Sequence, residues 1–101
     1  MSPTPRETKT YDLDLSREER WVVHSLLVDR ADNLLDDREQ PPDWLVDLFE
    51  RIEAGTDSAS RKQVQELRAD LIAYIEAEDT PSAEVAISRD VLSRIEARLA
   101  R

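Results

Sequence analysis

Few side chains in this chain could carry chemistry. His24 is the only histidine and there is no cysteine, which removes thiol nucleophiles, thiolate metal sites, iron–sulfur clusters and disulfides together. An imidazole acting in a triad needs a nucleophile on a strained turn, and no serine here is flanked by glycines. Zinc wants several His or Cys ligands, and no His-Glu-x-x-His spacing occurs. His24 is therefore expected as a half-buried or interface histidine bonded to a carbonyl or carboxylate. Asp29, Asp32 and Asp36, with Asn33 beside them, recur at three- and four-residue steps and share one helix face. Two such stripes facing each other could hold magnesium or calcium. The Glu-x-x-His partner motif of bundle metal centres is missing, so a solvated face is expected. Neither Asp12-Leu13-Asp14 nor Asp57-Ser58 continues into a calcium loop. With Gly55 as the one glycine, no glycine-rich phosphate cradle can form. Basic clusters at Arg94, Arg98 and Arg101, and at Arg61, Lys62 and Arg68, are the only candidates for touching nucleic acid. Dipole complementation at a helix end accounts for the first group. No catalytic, cofactor-binding or metal-ligating residue is assigned, and neither an enzyme nor a small-molecule ligand is expected.

The elements that would position these residues read as helices. Ser16-Arg17-Glu18-Glu19 has capping-box spacing and starts one. At ~100° per residue, Val22, Val23, Leu26, Leu27, Ala31 and Leu34 form a broad apolar front, with Trp21, Val28 and Leu35 continuing it round the side. Only Glu18, Ser25, Asp29, Asp32 and Asp36 make a wholly polar stripe. A helix apolar over more than half its circumference should be covered from at least two directions, so residues 16–37 are expected as the central helix. Pro41-Pro42 is expected to end it. A second helix over 42–54 starts at Pro42 and Asp43 and stops at Gly55. Thr56-Asp57-Ser58-Ala59 reads as a loop. Ser60-Arg61-Lys62-Gln63 repeats the capping-box spacing and starts a third helix over 60–78. Thr80-Pro81 caps a fourth over 81–99, with a restart at Ser88 as an option. The expectation is an all-α, small four-helix bundle, a single helical domain over 10–101, behind a disordered tail at 1–9.

Thr10-Tyr11-Asp12-Leu13-Asp14-Leu15 alternates like a strand, yet no second convincing strand is legible. It is expected as an extended arm laid against the helices. Pairing with the same segment of a second subunit is the alternative.

Acidic residues outnumber basic ones 23 to 14, giving a formal charge of −9. The acids are spread along the whole chain, and lysine occurs only at Lys9 and Lys62. Arrayed this way, carboxylates read as a surface adapted to concentrated salt rather than as a ligand for one basic partner. No apolar run suits a signal peptide or a membrane span, and the cytoplasm is the expected location.

The run from Tyr11 to His24, the Glu53-Ala54-Gly55 stop and the Asp79-Thr80-Pro81 restart resemble small, acidic, uncharacterised proteins of halophilic archaea. Over residues 10–99 that resemblance carries structural signals and no catalytic signature, and it implies no functional residues. What is left is interaction. Tyr11, Leu13, Leu15, Trp21, His24, Val28 and Trp44 are the candidate interface, with core anchoring as the competing role for the two tryptophans. A protein partner, or a second copy forming a homodimer, is expected; a nucleic-acid-associated regulator is the alternative, and a carboxylate metal binder the weaker one. Because a charge of −9 repels itself in dilute salt, the thermal midpoint should rise between about 0.1 M and about 1 M potassium chloride. A flat midpoint in calorimetry would remove the salt-adaptation reading.

Overall fold

The computed structural model describes residues 10–100; the expected tail over 1–9 and Arg101 lie outside the described residues. Along the chain run β1 (Thr10–Asp12), α1 (Arg17–Asp36), α2 (Asp43–Glu53), β2 (Ser58–Ser60), α3 (Arg61–Glu76) and α4 (Ser82–Leu99). Both capping boxes form. The Glu19 amide donates to Ser16 Oγ at 3.1 Å and the Ser16 amide donates to Glu19 Oε1 at 2.9 Å. At α3 the Gln63 amide donates to Ser60 Oγ at 3.2 Å, and the Ser60 amide donates to Gln63 Oε1 at 2.8 Å. The Gln63 amide group also donates to the Trp44 carbonyl and to Asp47, which ties the start of α3 to α2.

Both α1 and α2 end in the same hydrogen-bonded turn. After α2, the Gly55 amide donates to the Ile52 carbonyl and the Thr56 amide to that of Arg51, with Gly55 at φ 82°. After α1, the Arg38 and Glu39 amides donate to Leu35 and Leu34, with Arg38 at φ 60°. These are Schellman ends, and at α1 an arginine occupies the left-handed position that glycine takes with less strain. The helix is therefore closed before Pro41 is reached, so Pro41-Pro42 does not itself stop it. Nor does Thr80 cap α4. The N-cap is Pro81, and the Thr80 hydroxyl donates back to the Tyr74 carbonyl at 2.6 Å. No restart occurs at Ser88; α4 is continuous, and Ser88 is buried with no partner for its hydroxyl among the described residues.

The largest departure from the sequence reading is the arm. Residues expected as loop form β2, which pairs antiparallel with β1 in the register Thr10↔Ser60, Tyr11↔Ala59, Asp12↔Ser58. A Ser-Ala-Ser strand lacks the β-branched and aromatic residues by which strands are read. It is held because Ala59 is fully buried opposite buried Tyr11. Beyond β1, the Leu13 amide donates to the Asp57 carbonyl and the Leu15 amide to Asp57 Oδ2, while the Asp14 amide, at φ 50°, donates to Asp12 Oδ1. The arm's strand partner thus lies in the same chain, and Tyr11, Leu13 and Leu15 join the core.

Helix α1 packs against both α2 and α4, and α3 lies mainly on α4. Val22, Val23, Leu26 and Leu27 of α1 meet Leu45, Leu48 and Ile52 of α2, Val64, Leu67 and Leu71 of α3, and Val91 and Ile95 of α4 in one cluster. Among the described residues no helix is long and apolar enough to cross a membrane.

One ion pair gathers these parts. Glu19, only 8 % exposed, receives both Arg94 guanidinium nitrogens, at 2.8 Å and 3.1 Å. Arg94 also donates to the Leu13 and Asp14 carbonyls, and Arg98 to that of Asp12. The Arg94 hydrogen bond, assisted by the Ser16 amide, outweighs burial and holds the Glu19 carboxyl below the ordinary glutamate range. A lowered carboxylate contributes stability above its unfolded pKa and loses it as pH falls through the folded value. Arg94→Ala should cost about 2–4 kcal/mol in urea unfolding, because Glu19 stays buried without its partner. The stability gap between the native chain and Glu19→Gln should close as pH falls below the ordinary glutamate range. A gap independent of pH would show that the pair contributes no charge-linked stability.

Candidate functional site

Of the residues singled out as a candidate interface, the structure buries three and exposes one. Tyr11, Leu13 and Leu15 lie in the chain's own core. Trp21, the alternative to which was core anchoring, is 66 % exposed, beside Leu35 at 58 % and Val46 at 42 %. Trp44 is half-buried against the core, with the Arg30 guanidinium 4.8 Å from its ring centroid. His24 is half-buried, its Nε2 3.1 Å from Glu53 Oε2 and its ring 4.8 Å from that of Phe49. It joins α1 to α2, as a carboxylate-bonded histidine was expected to do. Val28 lines an apolar groove of about 190 Å³ between α1 and α2, with Ala31, Pro41, Val46 and Phe49.

Trp21, Val28 and Leu35 are seven residues apart on α1. Seven residues is nearly two turns, so they make one stripe down the helix. At its upper end Trp21 stands as a ridge between two hollows. One, of about 780 Å³ and open to solvent, is lined by Arg17, Arg20, His24, Ile52 and Glu53. The other, of about 240 Å³, is lined by Glu18, Val22, Glu84 and Ile87. Among the described residues, the large apolar side chains left in water thus all belong to α1 and α2.

The polar clusters elsewhere are internally satisfied. Arg30 donates to Glu66 at 2.9 Å and to both Asp70 oxygens at 3.0 Å and 3.1 Å, joining α1 to α3 beside a cavity of about 420 Å³. Burial pushes the Asp70 carboxyl up and outweighs the pull of Arg30. Burial opposes the Arg30 charge too, but its hydrogen bonds to Glu66 and Asp70 prevail and hold its pKa above the usual value. Tyr74 donates to Glu84, which raises the phenol to about 12 and keeps it a donor. None of these groups was legible in the sequence, since each pair joins distant segments. Arg94 and Arg98 are engaged by the arm, Arg61 by the Tyr11 hydroxyl and Arg68 by Glu96; Lys62 is exposed. Arg94 and Arg98 are thus committed to the arm, whereas Arg61, Lys62 and Arg68 remain on the surface. Asp29, Asp32 and Asp36 are exposed, and no three His, Asp or Glu among the described residues converge as a metal group.

The split between the tryptophans has an optical signature. A Trp44→Phe chain, emitting from Trp21 alone, should fluoresce at water-like wavelengths and be readily quenched by acrylamide in the monomeric state. Its Trp21→Phe counterpart should emit further to the blue. Identical quenching would contradict the exposure of Trp21.

Searches of curated proteins and of solved structures returned no match. A family model described as "Family of unknown function (DUF7853)" matches residues 13–96, from the end of the arm into the last turns of α4. On a match covering most of its length, the chain belongs to this family of unknown function, DUF7853.

Proposed function

We propose that the protein is a non-catalytic interaction module that binds another protein chain through the α1–α2 face, in the salt-rich cytoplasm of a halophilic archaeon. The observation that carries this reading is the exposure of Trp21, Leu35 and Val46, the exposed large apolar residues of the described chain, all of them on α1 and α2. Tryptophan is enriched among residues that dominate binding energies. Engagement of Arg94 and Arg98 by the arm favours protein interaction over nucleic acid, which requires free cations. The dispersed acids and the scarcity of lysine support the halophilic setting.

A photo-crosslinking amino acid placed at position 21 in the native host should give a heavier product on illumination. The same group at exposed Gln65 on α3 serves as the control. A product from position 21 that is absent at position 65 is the expected result. No product from position 21 at native expression levels would overturn the assignment.

A further inference from the structure

The charges flanking the Trp21–Val28–Leu35 stripe say which partner fits. Measured around the helix from Trp21 at ~100° per residue, Arg17, His24 and Arg20 fall about 40°, 60° and 100° to one side. Glu18, Asp29, Asp32 and Asp36 fall about 20–80° to the other. The first flank carries Arg17 at its upper end, with Arg20 there paired to Asp57, and it adjoins α2, as the contact of His24 with Glu53 shows. The second is the acidic stripe, and Glu84 adds to it beside Trp21. Arg17 makes no ion pair among the described residues. The surface is therefore two-sided about a central apolar line, with opposite charge on the two sides at the level of Trp21.

Resting on the interaction reading above, we infer that the partner is a second copy of this chain, joined through a parallel α1–α1 seam with a two-fold axis running alongside the helices. Two symmetric packings of α1 on itself are available. In the antiparallel one, each flank meets its own copy, so Glu18, Asp29, Asp32 and Asp36 would face the same acids. In the parallel one, each flank meets the opposite flank, and Glu18 of one copy stands level with Arg17 of the other. Only the parallel packing is electrostatically self-complementary. It is also the packing that a seven-residue apolar repeat serves, because the repeat keeps Trp21, Val28 and Leu35 facing their own copies at the axis.

Two copies of a molecule of formal charge −9 repel each other in dilute salt. Their residual repulsion is screened by salt, so this association tightens as salt rises, opposite to the behaviour of a complex with a basic protein.

The experiment is light scattering on the purified full chain over a range of protein concentrations, from about 0.1 M to about 1 M potassium chloride. Expected is a monomer–dimer equilibrium that shifts toward dimer with salt. Trp21→Ala and Leu35→Ala should each weaken it about tenfold or more. At the lowest salt that supports the dimer, Arg17→Glu and Glu18→Arg should each weaken it, and the two combined should restore it. Direction is read in this cysteine-free chain by mild oxidation of Leu35→Cys and Trp21→Cys chains, separately and mixed. Same-site bridges, most readily at position 35, are expected. A monomer at every salt and concentration, a dimer indifferent to Trp21→Ala and Leu35→Ala, charge swaps that fail to compensate, or bridges formed chiefly between positions 21 and 35 would each overturn it. If the chain is monomeric while position 21 crosslinks a different protein, self-pairing falls and the interaction reading stands. If position 21 crosslinks nothing, both fall.

Discussion

The Glu19–Arg94 pair is the interaction on which the remaining architecture depends, because it joins three things that would otherwise be separate. Glu19 is the residue that closes the α1 capping box, so its carboxylate is already fixed by local structure before any tertiary contact is made. Arg94 then reads that fixed carboxylate from α4 and extends to two carbonyls of the arm. Planar guanidinium geometry makes this possible, since one arginine can serve a carboxylate and nearby backbone acceptors at once. A lysine could supply the charge but not the fork. The abundance of arginine over lysine thus has a structural use here in addition to any tie to salt.

Asp57 plays the reciprocal part from the other side of the arm. It accepts the Leu15 amide and the Arg20 guanidinium, the latter at 2.7 Å. Together with Arg30 between Glu66 and Asp70, these pairs place charge at the seams between elements, where each ion has a fixed partner, while at Asp70 burial still outweighs the pull of Arg30. The polar economy of the fold leaves Trp21 and Leu35 exposed along α1, with Arg17, which makes no ion pair among the described residues, on one flank and Glu18 on the other. That contrast gives the α1–α2 face its interest, since exposure means most where the rest of the molecule is well satisfied.

The helices were legible in the sequence because their signals are local. Ser16 with Glu19, Ser60 with Gln63, and Gly55 each act within a few residues, and all three form as read. The sheet was not legible because β2 is defined by its partner. Nothing in Ser58-Ala59-Ser60 favours a strand until Tyr11 lies across from Ala59. Trp21 was ambiguous for a related reason: a helix wheel shows which residues share a flank but not where neighbouring helices stop. The structure ends the cover of α1 between Val22 and Trp21. The wheel did hold the segregation of Arg17, Arg20 and His24 from Glu18 and the aspartates, but this acquires meaning only once Trp21 is known to face outward.

The contacts that secure the arm also fix an order of events. Arg94 reaches Glu19 across 75 residues, and Arg98 reaches the Asp12 carbonyl across 86. Contacts so distant in sequence close late, since the entropy of a large loop must be overcome before they stabilise anything. During synthesis β1 emerges before α1 to α4, yet Asp12, Leu13 and Asp14 receive hydrogen bonds from the later turns of α4. Until the ribosome has released that helix, Leu13 and Leu15 lack part of their cover, and a strand made before the helices waits on the last of them.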